Sequence, residues 1–102
     1  MKKVNKKKYI VYVDDNFHYM DTDERYVQGE YDDYETARRV CKSIVDSFLQ
    51  RGYKSGMKAK ELYDGYVCFG EDPWIMGPDV LEKGTFSAWD YAEEQCKKMC
   101  KK

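Results

Sequence analysis

Four cysteines and one histidine have the widest chemical range in this chain: Cys41, Cys68, Cys96, Cys100 and His18. Cys96 and Cys100 stand four residues apart, which places both on one face of a helix. Joined by Cys68 or His18, they would form a thiol- or metal-linked regulatory set. Tetrahedral zinc usually draws on four Cys or His ligands, with a close pair on a turn. This chain has no Cys-x-x-Cys and only one histidine, so the pattern predicts no metal site and no cofactor. The thiols read more simply as small apolar side chains. Cys–His nucleophilic catalysis would need His18 beside a thiol, which the spacing does not supply.

Carboxylates are the other abundant reactive group. From Asp14 to Glu35 there are nine acids and one base, Arg25, a local charge of −8 that leaves +7 for the rest of a chain of net charge −1. Carboxylates on an exposed turn keep ordinary acidity and lack a pocket, so they predict no acid–base catalysis. Asp21-x-Asp23 opens like a calcium loop, but the glycine and the closing glutamate are missing. Gly70 and Gly77 form no phosphate-cradling pattern. The chain is therefore read as a non-enzyme. A basic face with a clear positive excess, as nucleic-acid binding requires, is also missing. The acidic stretch could instead mimic a nucleic acid before a protein that binds one.

What remains is binding. Phe17-His18-Tyr19-Met20 is an apolar run beside an acidic turn, and Trp74 lies in a second apolar segment, Trp74-Ile75-Met76. These side chains suit burial beneath helices. Exposed, they would mark a site for a protein partner or a second copy. The expectation is that at least two of Phe17, Tyr19, Met20 and Trp74 are accessible and form one patch.

The elements that must position these residues follow from pattern and length. One domain fits 102 residues with 42% hydrophobic content, and no repeat or linker divides it. Residues 1–7 read as a basic, flexible tail. With no apolar run after those lysines and none near 20 residues elsewhere, the chain is expected to be cytoplasmic, membrane-free and reduced at its thiols. Residues 8–14 and 25–31 have strand composition and pair antiparallel about a turn at 21–24, with Asp14-Asp15-Asn16 as a bulge or kink. Tyr34, Ala37, Val40, Cys41, Ile44, Val45, Phe48 and Leu49 recur at helical spacing and predict a helix over 33–51. Asp32 or Asp33 caps it, and Gly52 is expected to end it in a left-handed conformation. A shorter helix is expected at 58–66, and a last one at 87–100, capped by Ser87 and stapled by Phe86 on Tyr91. Residues 67–69 are read as a strand or as the frayed end of the second helix, and 70–73 as a turn. The class is α+β, in the order strand–strand–helix–helix–(strand)–helix. Two or three antiparallel strands would carry the helices on one face.

Tyr-Val-Asp-Asp-Asn-Phe-His-Tyr-Met-Asp (12–21), Phe-Gly-Glu-Asp-Pro (69–73) and Phe-Ser-Ala-Trp-Asp-Tyr-Ala (86–92) resemble a family of small bacterial proteins of uncharacterised function. The resemblance implies a bacterial origin. It brings no activity, cofactor or site residue.

Overall fold

The computed structural model describes residues 9–18, 25–78, 80 and 85–100, with the His18 side chain outside that description. The basic tail, the turn at 21–24, Tyr19 and Met20 lie outside the described residues. In the described chain, β1 (Tyr9–Asp15) runs into a 3-10 turn (Asn16–His18). Then come β2 (Tyr26–Tyr31), α1 (Tyr34–Gly52), α2 (Ala59–Phe69), β3 (Glu71–Met76) and α3 (Ala88–Met99). The sheet is antiparallel throughout, in the order β2-β1-β3.

Alternation along β1 sets the two layers. Tyr9, Val11 and Val13 turn inward and are buried, together with Pro73 and Ile75 of β3. Onto them α1 lays Ala37, Cys41, Val45 and Leu49, all fully buried. Leu62 and Tyr66 of α2 and Ala88, Ala92 and Cys96 of α3 complete the core. Tyr66 is its hub, with Phe48 and Trp89 edge-on at 5.9 and 6.5 Å.

Local chemistry explains most helix ends. The Asp33 carboxylate accepts from the Thr36 amide at 3.1 Å and the Thr36 hydroxyl at 2.7 Å, which fixes the start of α1. The Ser87 hydroxyl accepts from the Asp90 amide at 3.2 Å, and Phe86 lies 5.8 Å from Tyr91, centroid to centroid, as a staple. The Tyr91 hydroxyl then donates to Asp46 and ties α3 to α1.

Two expectations are corrected. Gly52 does not end α1 in a left-handed conformation: the chain leaves through Tyr53 in extended backbone, its amide donating to the Leu49 carbonyl. The positive φ falls on Gly56, at +85°, in a turn closed by Met57 N–H to Lys54 O. Residues 67–69 form the end of the second helix, the helical one of their two readings, and α2 closes at Phe69. The third strand begins at Glu71, inside the segment read as a turn. Pro73 misled that reading. Its missing N–H is harmless on an edge strand, where β3 sits.

Asn16 holds the sheet to the end of α2. Its side-chain amide donates to the Tyr66 carbonyl at 2.9 Å, and its backbone amide to the Gly70 carbonyl at 3.0 Å. The Tyr66 carbonyl, which also accepts from the Gly70 amide at 2.8 Å, thus fills both lone pairs, and the Gly70 carbonyl just past the helix end gains a donor.

Candidate interaction surface

The helices cover one face of the sheet. An uncovered antiparallel face normally alternates to polar residues. Here the outward positions of β1 are Ile10, Tyr12 and Asp14, and the register sets Met76 beside Ile10 and Trp74 and Val27 on either side of Tyr12. Tyr12 and Trp74 stack at 4.8 Å with their planes 22° apart. Arg25 lies over the Trp74 ring, 5.1 Å from its centroid, and grips Asp14 with two hydrogen bonds of 2.6 and 3.2 Å. Trp74, Tyr12 and Ile10 are half-buried, while Val27 and Met76 remain 53% and 49% exposed. The shielded indole N–H of Trp74 meets no acceptor among the described residues. The face is apolar, aromatic and open.

Phe17 belongs to a different contact. It is 63% exposed and stacks at 5.5 Å on Phe69, itself 62% exposed, where α2 ends. The described contacts thus join Phe17 to Phe69 and Trp74 to Tyr12 and Arg25. His18 contributes its backbone to the 3-10 turn. Sequence reasoning picked out Trp74 but missed its partners Tyr12, on β1, and Arg25, just before β2, and missed Val27 on the far side of Tyr12.

Where β1 meets β3, Asp14 faces Asp72 and Asp15 faces Glu71. Each carboxylate has a donor. Arg25 serves Asp14, the Phe17 amide serves Asp15 at 2.9 Å, and the Tyr26 hydroxyl serves Glu71 at 3.1 Å. Burial, and then the negative charge of Asp14, push Asp72 up to about 6, although a hydrogen bond from Trp89 works the other way.

The cysteines do not converge. Cys41 and Cys96 are in the core, Cys68 is exposed on α2, and Cys100 is half-buried at the end of α3. Burial pushes Cys41 up to about 12 and Cys96 up to about 11, so both stay as thiols at neutral pH. A groove of about 200 Å³ between α2 and α3 touches Cys96 beside Tyr63 and Lys97. Among the described residues no three His, Cys, Asp or Glu side chains gather to hold a metal ion. Native thiol labelling at pH 7.5 should therefore modify Cys68 first and reach Cys41 and Cys96 only on unfolding. Peptide mapping that finds Cys41 labelled as fast as Cys68 would contradict this core.

Among the described residues no helix is long and apolar enough to cross a membrane. No known family model, curated protein or solved structure matches the chain.

Proposed function

We propose that this chain is a small cytoplasmic protein-interaction domain without catalytic activity, and that its binding surface is the open face of the sheet. The observation that carries this reading is the run of Ile10, Tyr12, Val27, Trp74 and Met76 on a face that no helix among the described residues covers. Apolar area of this kind gains free energy only when something removes it from water, at roughly 25 cal/mol per Å². The Arg25–Asp14 pair gives the face a polar rim, and Trp74 and Tyr12 supply the rigid aromatic area that anchors protein partners. A net charge of −1 with its acids massed at 14–35 favours a protein over a nucleic acid as partner.

Photo-crosslinking in the source cell tests it. A reactive side chain at position 27 or 76 should trap a discrete protein, while the same probe at Lys60, exposed on α2, should not. Equal trapping from all three positions, or none from 27 and 76, would refute the surface.

A further inference from the structure

We infer that the outer edge of β2 accepts an extended, lysine- or arginine-rich segment of a partner protein as a fourth strand. This rests on the reading of the open face as a binding surface and names the chemistry of its occupant.

The two edges of the sheet differ. β3 carries Pro73 and has two fully or nearly buried residues, Pro73 and Ile75, packed under the helices. In β2, Tyr26, Val27, Gln28 and Glu30 are exposed, and among the described residues no strand pairs with its outer side. Edge strands are usually guarded by lysine or proline. β2, Tyr-Val-Gln-Gly-Glu-Tyr, has neither. Unpaired strand amides and carbonyls bind extended peptides through main-chain hydrogen bonds, and side-chain pockets then choose among them.

Charge makes that choice here. The register slips between Val11 and Tyr12, so Val27 and Glu30 both face the open side, opposite Tyr12 and Ile10. Asp32, Asp33 and Glu35 follow β2 directly, and the one base of the region, Arg25, is held by Asp14. An acidic strand would be repelled from this edge. So would the β2 of a second copy, which would bring two stretches of charge −8 together. A basic strand meets the opposite situation. Its lysine or arginine stems can lie along Val27 on the open side while their charged ends reach Glu30 and Asp32.

The test uses the full chain and three labelled ten-residue peptides: alternating Lys-Val, alternating Glu-Val, and Lys-Val with alternate amides N-methylated. Fluorescence anisotropy reads affinity, and backbone amide NMR reads location. The Lys-Val peptide should bind at least about tenfold tighter than either other peptide, and its shifts should centre on residues 26–31. Glu30→Lys with Asp32→Lys should weaken it by about tenfold, with the chain's own spectrum showing that the fold is kept. Equal binding of the N-methylated peptide would reduce the effect to charge attraction and overturn strand addition. Equal binding of Glu-Val would overturn the charge selection. Shifts on Tyr12 and Trp74 with β2 silent would overturn the edge while leaving the open face in use. Dimerisation of the chain through β2 would overturn the choice of occupant. If crosslinking from positions 27 and 76 also fails, the underlying reading fails too, by an independent measurement.

Discussion

Gly70→Ala is expected to destabilise the fold by about 2–3 kcal/mol, the usual penalty for forcing an atom into a filled core. A Cβ at Gly70 would collide with the Tyr66 ring and lie 2.8 Å from the Tyr66 carbonyl oxygen. Neither neighbour can yield. The Tyr66 carbonyl accepts from the Gly70 amide at 2.8 Å and from Asn16 at 2.9 Å. Its hydroxyl donates to the Glu71 carbonyl at 2.7 Å, and its fully buried ring is wedged between Phe48 and Trp89. Gly70 is not in a left-handed conformation, with φ at −79°, so the demand is for space. For a domain of this size the loss corresponds to a fall in Tm of roughly 10 °C or more. Gly65→Ala is the matched control. Gly65 sits inside α2 with nothing within 4 Å of a new Cβ, so the helix should gain about 0.5–1 kcal/mol. Urea and thermal melts of the two variants should move in opposite directions. A Gly70→Ala protein as stable as the parent would show that the joint between α2 and β3 is looser than described.

That joint also marks the limit of what the sequence discloses. β1 is legible because its β-branched and aromatic residues leave no competing period. α1 is legible because its apolar stripe runs for five turns behind an aspartate cap. Both signals are local. β3 has no local signal: it is six residues long, opens with Glu-Asp-Pro, and becomes a strand only because β1, some sixty residues earlier, pairs with it. Asn16 is equally opaque. Its role in closing α2 depends on a contact fifty residues away, and alone it reads as part of a kink. The open face of the sheet is half legible. Ile10 and Tyr12 alternate with Val11 and Val13, so β1 is apolar on both faces, and a strand of that kind needs cover on both. That pattern announces a second surface. It does not say that Trp74, Val27 and Arg25 will surround Tyr12, because that follows from register.

Stability should rise as pH falls from about 7 to about 4.5, and Asp72 is the reason. Its carboxyl is raised to about 6 in the folded chain, from an ordinary value near 4 when unfolded. Below pH 4 it is protonated in both states and contributes no penalty. Between 4 and 6 the folded form retains a proton that the unfolded form has released, so each step up in pH favours unfolding. Above 6 both forms are ionised and the penalty is complete. In a fully dry site that penalty would approach 3 kcal/mol. Asp72 is only half-buried, so solvent screening reduces the expected size to about 1 kcal/mol. The groups around it come from every element against which it lies: Asp14 of β1, Trp89 of α3, and Tyr66 of α2 and Cys41 of α1, both of which feel its charge. Asp33 acts in the other direction. Its hydrogen bonds from Thr36 hold its carboxyl below the usual range, so its contribution is lost only at more acid pH. Asp72→Asn keeps an acceptor for the Trp89 indole and removes the charge. It should raise the Tm at pH 7.5 by roughly 4–8 °C and flatten the melting profile between pH 4.5 and 6.5. If the variant melts at the parent's temperature at pH 7.5 and keeps the parent's slope, then Asp72 is solvated and the facing carboxylates impose no strain on the β1–β3 seam.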